Sequence, residues 1–219
     1  GHNGLTNACL MAMKGKRVTL IEARDSLGGL AGSVEFQPGF KSAGVWHGAG
    51  NVPESVMTSL GPKGLIQKST TTVYAPGESG RIAPISGPTD TATFGIAQNS
   101  RSDGRDYVRY RDFMTRIQPV LSRFLMRRPL NLLEVESEAP VELLTRALGL
   151  RRLGSHDMIE LLRVAPMPVG DFLNEYFETD FVKGALSMDA VLGTFTAPRS
   201  PGTTTNLLMR ESIWGQSIK

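Results

Sequence analysis

The stretch GHNGLTNACLMAMKGKRVTLIEARDSLGG, residues 1–29, decides the fold. Two glycines, Gly1 and Gly4, open it, and a run of good helix formers follows them. Within this run, the residues that we expect to form one buried helix face are Leu5, Ala8, Cys9 and Ala12. Gly15 stands where a helix commonly ends, and RVTLIEA, residues 17–23, has the apolar centre of a parallel strand covered on both faces. The predicted order is therefore a glycine turn, a helix and a strand.

The glycine turn has the composition of a phosphate-binding loop. Gly1, His2, Asn3 and Gly4 match the later part of a G-x-G-x-x-G fingerprint, whose first glycine we expect to lie before Gly1. Residues without a Cβ let the backbone approach a diphosphate, and a helix N-terminus presents free N–H groups to it. Glu22 ends the predicted strand, at the spacing at which such folds place an acid on a ribose hydroxyl. The pattern predicts a dinucleotide cofactor.

The residues that follow the predicted strand distinguish between cofactors. Residues 22–29 form the pattern E-x-R-x-x-x-G-G, which resembles that of FAD enzymes of the glutathione-reductase structural type. The resemblance implies that the acid holds a ribose of FAD and that the paired glycines bring a second loop close to the cofactor. NAD-only dehydrogenases generally lack this second pair, so we expect FAD. The predicted cofactor-binding residues of this stretch are Gly1, Asn3, Gly4, Glu22, Ala23, Arg24, Gly28 and Gly29.

Three later blocks narrow the resemblance. They are similar to the phytoene-dehydrogenase-related oxidoreductases, a branch that includes the pyridine nucleotide-disulphide oxidoreductase domain-containing protein 2 group. The blocks are EFQPGFKSAGVWH (35–47), HDMIELLRVAPMPVGDFLNEYFE (156–178) and DAVLGTFTAPRSPGT (189–203). The resemblance implies an FAD-dependent oxidoreductase of the desaturase or dehydrogenase kind, which transfers a hydride from a small, lipophilic substrate to the flavin. It assigns no catalytic residue.

The same resemblance implies that the loop containing Trp46 and His47 passes near the flavin ring. His47 would there polarise a bound substrate or form a hydrogen bond with the flavin. The alternative is a histidine in a surface loop beside a packed tryptophan. Trp46 and His47 therefore complete the set of predicted cofactor-binding residues.

We predict an α/β fold, α+β overall, in two parts. A partial FAD-binding Rossmann-type unit of the glutathione-reductase type spans residues 1–68, and a mostly helical substrate domain spans residues 69–219. Hairpins are expected within 33–42 and 69–86, each around a Pro-Gly turn. Helices are expected from Thr89 onward.

The clearest helix lies within residues 104–128, where an apolar stripe stands opposite a basic one. The apolar stripe consists of Tyr110, Phe113, Met114, Ile117, Leu121, Phe124 and Leu125. The basic face carries Arg109, Arg116, Arg123 and Arg127. This pattern predicts either a helix that contacts a membrane surface peripherally or a core helix whose arginine face is solvated.

Composition sets the broad class. With 40% hydrophobic and 21% charged residues over 219 positions, the chain is long and apolar enough to form a core. Arginines and aromatic residues do not interleave in a recognition motif, so no nucleic-acid partner is expected. Cys9 is the one cysteine, and pairs of Cys and His at zinc spacing are absent, so neither a disulfide nor a metal site is expected. We expect a cytoplasmic or mitochondrial protein, with membrane association left open.

Two other functions stay open on the sequence alone. One is a non-catalytic interaction protein derived from a flavoprotein, and the other is an NAD-dependent dehydrogenase, which would not need Gly28 and Gly29. We also expect the chain to lack the strand before Gly1 and a C-terminal part that closes over the flavin in the family. The 219 residues by themselves are then expected to bind FAD weakly and to be inactive.

Overall fold

A computed structural model describes residues 1–42, 54–61, 72–77, 80–126 and 140–214. The chain divides into two compact units, Gly1–Ser69 and Thr70–Lys219. The first unit contains one long helix and short elements, and the second is mostly helical. Trp46 and His47 lie outside the described residues, as does Arg127.

The first unit opens with helix α1, His2–Met13, which ends at the predicted glycine. Gly15 has a left-handed φ of 74°. Its N–H donates to the Ala12 carbonyl over 2.9 Å, and the Lys16 N–H donates to the Met11 carbonyl over 3.1 Å. This pair of bonds is the Schellman arrangement, which satisfies carbonyls at a helix end and favours glycine at the left-handed position. Both the predicted helix and its end are confirmed.

The predicted burial of this region is wrong. No residue of α1 is buried, and Cys9 is exposed rather than packed as a small hydrophobe. Residues 17–23 do not form a strand, because a strand needs a hydrogen-bonded neighbour and none of the described strands pairs with them. Ile21, expected to be covered on both faces, is 90% exposed. The apolar pattern is present in the sequence, but the described part of this unit leaves Val18 and Leu20 partly exposed and Ile21 almost fully exposed.

The rest of the first unit consists of short elements. A 3₁₀ turn, Gly29–Ala31, precedes strands β1, Val34–Gln37, and β2, Phe40–Ser42. The strands pair antiparallel around the Pro-Gly turn, as predicted for residues 33–42. The Gly39 N–H donates to the Glu35 carboxylate over 2.9 Å, which fixes the turn. Helix α2, Glu54–Leu60, completes the described elements of this unit.

The second unit begins with a hairpin and continues as helices, in the predicted order. Strands β3, Tyr74–Pro76, and β4, Ile82–Pro84, pair antiparallel. The helices that follow are α3 (Thr89–Ala97), α4 (Arg101–Leu125), α5 (Pro140–Arg151), α6 (Gly154–Val164), α7 (Val169–Asn174), α8 (Asp180–Val191) and α9 (Thr203–Trp214). Across the described ranges, no helix combines the length and the apolar character that crossing a membrane requires.

Helix α4 supplies the centre of the core in the second unit. Its buried apolar residues are Tyr107, Tyr110, Phe113, Met114, Ile117 and Val120. The Tyr110 ring lies 5.6 Å from the Phe177 ring and 6.3 Å from the Phe172 ring, between centroids, which is within the range of favourable aromatic pairs. The predicted apolar stripe is confirmed as far as Ile117, but Phe124 near the end of the helix is 38% exposed. Burial of the stripe therefore weakens toward the C-terminus of α4.

A buried carboxylate joins the starts of α4 and α8. Ser100 caps α4 by accepting a hydrogen bond from the Asp103 N–H over 3.2 Å. The Asp103 carboxylate accepts bonds from the N–H groups of Glu178, at 2.8 Å, and Thr179, at 3.1 Å, and from the Thr179 hydroxyl. Thr179 is the residue that precedes α8, so one carboxylate fixes where the two helices begin relative to each other. Asp103 has no exposed surface, which makes these bonds essential to its burial.

Replacing Asp103 tests this junction. Asp103→Ala would leave two amides and a hydroxyl without their acceptor, and we expect it to lower the free energy of unfolding by roughly 2–4 kcal/mol. Asp106→Ala is the matched control in the same helix, because Asp106 makes only a partly exposed contact of 3.7 Å with Arg109. Its expected cost is below about 1 kcal/mol. Urea unfolding followed by far-UV circular dichroism measures both, and equal costs for the two variants would contradict the role given to Asp103.

Candidate functional site

The N-terminus of α1 is the first part of the candidate site. Gly1 is the N-cap residue, no side chain caps the helix, and its first turn contains no acidic residue. The Leu5 N–H makes a helical bond to the Gly1 carbonyl over 3.1 Å. The amides that precede it belong to the first turn, where a helix offers no internal acceptors and the dipole is positive. Gly4 has open space beside it, since a Cβ there would meet nothing within 4 Å.

A second glycine segment lies directly against this helix start. A Cβ added to Gly29 would lie 2.8 Å from the Gly1 Cα, closer than two carbons can approach. Gly29 also has a φ of 61°, and Gly28 has a φ of 128°, values that L-residues rarely adopt. Both the conformation and the contact therefore require glycine. The structure thus brings Gly1, Gly28 and Gly29 together, as a second loop near the cofactor would require.

Glu22 lies between these two glycine segments in the chain and has a fixed carboxylate. Its Oε1 accepts hydrogen bonds from the Ala23 N–H, at 2.9 Å, and the Arg24 N–H, at 3.2 Å. The Arg24 amide holds the pKa of Glu22 below its usual range, and the Ala23 amide adds to this effect. Glu22 is therefore ionised at neutral pH.

A shallow groove of about 340 Å³ runs between α1 and the extended residues that follow it. Its α1 side is formed by Gly4, Asn7, Ala8 and Met11. Its other side is formed by Lys16, Arg17, Val18, Thr19 and Leu20. Sequence reasoning did not assign Asn7, Lys16 or Arg17 to a site. The adjacent Lys16 and Arg17 are visible in the sequence, but Arg17 falls in the predicted strand 17–23, and the sequence pattern gives neither residue a ligand.

The predicted site residues have the following places. Gly1, Asn3 and Gly4 form the first turn of α1 with its cap, and Gly28 and Gly29 pack on that turn. The N–H groups of Ala23 and Arg24 donate hydrogen bonds to the Glu22 carboxylate. Trp46 and His47 fall in the part of the chain that the structure does not describe, so their assignment stays a prediction.

A protein-family model described as an NAD(P)-binding Rossmann-like domain matches residues 1–55. The match includes both glycine segments and Glu22. A Rossmann-like nucleotide-binding region is therefore supported at the level of the family, although the described residues of this unit contain no parallel sheet. No solved structure matches the chain.

Curated relatives match nearly the whole chain. Pyridine nucleotide-disulfide oxidoreductase domain-containing protein 2 from Rattus norvegicus is 26% identical, and the protein of the same name from Mus musculus is 28% identical, each over 93% of this chain. A protein described as uncharacterized from Mycobacterium bovis is 26% identical over 94% of this chain. The chain spans 38% of the length of each of these relatives. The predicted resemblance to the domain-containing protein 2 group is confirmed.

The contact between the two glycine segments can be tested without a ligand. Gly29→Ala adds a Cβ that the Gly1 backbone excludes, so we expect the loop to move away from α1 and the amide NMR signals of Gly4 and Leu5 to shift. Gly39→Ala is the matched control, because Gly39 also has a positive φ, 81°, but open space beside it. Both variants bear a backbone cost of about 1 kcal/mol. Unchanged signals at Gly4 and Leu5 in the Gly29 variant would contradict the contact.

Proposed function

We propose that the first turn of α1, the Gly28–Gly29 loop and Glu22 hold the adenosine diphosphate half of FAD in an FAD-dependent oxidoreductase. The observation that carries the proposal is the approach of Gly29 to Gly1 at an uncapped helix N-terminus. Two backbone segments without side chains leave room for a diphosphate, and the helix dipole and first-turn amides attract its charge. Glu22 supplies the acceptor that a ribose hydroxyl needs.

The hydrogen bonds of the Glu22 carboxylate support its proposed role. Oε1 is occupied by the two amides of its own turn, so the side chain cannot rotate freely. The lowered pKa keeps both oxygens as acceptors throughout the neutral range. Under the proposal, Oε2 is the oxygen that accepts a hydrogen bond from the ribose. The chain's own residues then bind and orient the cofactor.

FAD and NAD(P) share the adenosine diphosphate half, and the comparisons do not choose between them. The matching family model names NAD(P), which favours the nicotinamide dinucleotide as a second candidate. The paired glycines after Glu22 favour FAD, because the resemblance associates them with the glutathione-reductase structural type. When bound, FAD would accept a hydride from the substrate. We propose FAD as the cofactor and a small, lipophilic molecule as the substrate.

The helical second unit is proposed to belong to the substrate domain. Peripheral contact with a membrane through the basic face of α4 is the less favoured proposal, because part of that face has protein partners. Arg116 Nε donates to Asp157 over 2.6 Å, and Arg109 donates to the Glu175 carbonyl over 2.9 Å. A non-catalytic interaction protein is also less favoured, because the glycines and the acid that a cofactor needs are all present.

Ligand titrations of the ¹⁵N-labelled chain test the proposal, since NMR detects even millimolar binding. FAD and ADP are expected to shift the amides of Asn3, Gly4 and Gly29, whereas FMN, which lacks the adenosine half, is not. Glu22→Gln is expected to weaken FAD binding about tenfold, the loss of a hydrogen bond to a charged acceptor. Glu35→Gln, an exposed acid in the same unit that only fixes the β1–β2 turn, should leave binding unchanged.

Two results decide against the proposal in different ways. Stronger shifts at these amides with NADH than with FAD would favour the nicotinamide dinucleotide over the flavin. The absence of shifts at Asn3 and Gly4 with FAD, ADP and NADH at millimolar concentration would contradict a nucleotide site at this helix start.

A further inference from the structure

The sequence contains one Asn-Gly pair, Asn3-Gly4, and it lies in the first turn of α1. An asparagine followed by glycine is chemically labile, because the backbone nitrogen of the glycine can attack the asparagine side chain. A Cβ on the second residue hinders this attack, and glycine has none. Asn3 is exposed, and a Cβ on Gly4 would meet nothing within 4 Å. The pair is therefore accessible to water, with open space around Gly4.

The reaction of such a pair needs only the chain itself and water. The Gly4 nitrogen forms a bond to Cγ of Asn3, and the side-chain amide nitrogen leaves as ammonia with the proton of the Gly4 N–H. Water then opens the resulting cyclic imide at one of its two C–N bonds. One opening gives aspartate, and the other gives isoaspartate, in which the main chain runs through the former side-chain carbonyl. Both products replace a neutral amide with a carboxylate, and no group is oxidised or reduced.

The attacking nitrogen belongs to an amide outside the helical hydrogen-bond pattern. The bond from the Leu5 N–H to the Gly1 carbonyl, over 3.1 Å, is the first of α1. Gly4 precedes Leu5, so its N–H is among those for which a helix supplies no internal acceptor. Closure of the imide ring requires Asn3 to leave the helical conformation, and at the end of a helix this breaks few hydrogen bonds.

The first turn of α1 has few restraints that would oppose this opening. No side chain caps the helix, and none of its residues is buried. Glycine favours the helical state about fivefold less than alanine does, so Gly4 weakens the turn further. Helix ends without caps or packing open at little cost in free energy. The open conformation that ring closure needs is therefore accessible at Asn3.

A second pair of related chemistry, Asp103-Gly104 in α4, shows the restraints that suppress ring closure, since aspartate forms the same imide. The Gly104 N–H donates to the Ser100 carbonyl over 3.0 Å, and a Cβ on Gly104 would lie 2.6 Å from the Ala97 Cβ. The Asp103 carboxylate is buried and accepts hydrogen bonds from the residues just before α8. Packing and hydrogen bonds thus hold both residues of this pair, in contrast to the exposed pair in α1.

We propose that Asn3 deamidates spontaneously in chains without a bound cofactor, and that the new carboxylate then weakens cofactor binding. The effect on binding rests on the proposed function, because Asn3 belongs to the turn whose amides and dipole are proposed to hold a diphosphate. A carboxylate at this position repels the diphosphate and itself interacts with the positive end of the helix. Asn3 is then a modification site that changes the affinity of the cofactor site.

A bound diphosphate protects the pair under this proposal. The first-turn amides, including that of Gly4, donate hydrogen bonds to the diphosphate oxygens only when the turn is helical. A ligand that binds one conformation alone lowers the population of the other, so the open conformation of Asn3 becomes rarer. Deamidation is therefore confined to chains that have lost their cofactor.

Incubation of the full 219-residue chain at pH 8 and 37 °C, followed by peptide mass spectrometry, measures the conversion. Cleavage after Lys14 gives one peptide that contains both Asn3 and Asn7. Asn7 is the matched control in the same helix, because it is also exposed but is followed by Ala8. We expect the mass increase of deamidation at Asn3 and not at Asn7. A rate at Asn3 no higher than that at Asn7 would overturn the proposal.

Two further rates test the mechanism. Gly4→Ala is expected to fold like the wild type, because its Cβ has open space. The Cβ hinders the attack and favours the helix, so we expect conversion at Asn3 to slow by at least about fivefold. In a wild-type chain that NMR shows to be saturated with ADP, conversion is also expected to slow. An unchanged rate in either experiment would overturn the proposal.

Asn3→Asp measures the consequence for binding, because it introduces the carboxylate of the product. We expect NMR titration to show ADP binding about tenfold weaker than in the wild type. Asn7→Asp adds the same charge one turn further into α1 and is expected to weaken binding less. Equal affinities of Asn3→Asp and the wild type would overturn the proposed effect on binding. If the wild type binds no ADP, the proposed function fails, whereas the comparison of Asn3 with Asn7 still decides whether the modification occurs.

Discussion

Gly29 and Gly1 approach each other so closely that a side chain on Gly29 would overlap the backbone of Gly1. This constraint determines the rest of the proposed site. Because of it, the chain after Glu22 packs against the start of α1. Two glycine segments, which have no side chains, then lie side by side where the helix dipole is positive. Surfaces of this kind recognise a diphosphate through amide groups rather than side chains. Under the proposal, Glu22 in the intervening segment accepts a hydrogen bond from the ribose next to that diphosphate.

The two units use polar groups in different ways. In the second unit, both carboxylate oxygens of buried Asp103 accept hydrogen bonds from the residues just before α8, so that one side chain fixes the starts of two helices. Elsewhere in this unit, the buried Tyr110 hydroxyl has no hydrogen-bond partner among the described residues. The first unit has no buried residue in α1 and exposes much of its apolar surface. Cofactor recognition is thus proposed for the first unit, whose helix α1 is not buried. The core of buried apolar residues described above belongs to the second, helical unit.

Features fixed by neighbouring residues could be predicted from the sequence. Gly15 follows the end of α1, a Pro-Gly turn joins β1 to β2, and the apolar spacing in α4 gives its buried face. Each of these features depends on residues a few positions apart. The cover over residues 17–23 was wrongly predicted, because an apolar pattern shows which side chains favour burial and not what packs on them. Asp103 and Thr179 are 76 positions apart, and their contact depends on how the helices pack. The sequence contains both residues but gives no sign that they meet.

The same distinction between local features and features that depend on packing applies to the candidate site. The glycine pairs and Glu22 form local sequence patterns, and the backbone requires glycine at Gly28 and Gly29. The groove that includes Lys16 and Arg17 depends on how the extended residues lie against α1, and it was missed.

The position of the adenosine diphosphate in a crystal structure of the chain with FAD tests the central claim most directly. We expect diphosphate oxygens within hydrogen-bond distance of the Gly4 and Gly29 amides, with the ribose bound to Glu22. A diphosphate bound elsewhere, with Glu22 remote from the ribose, would contradict it.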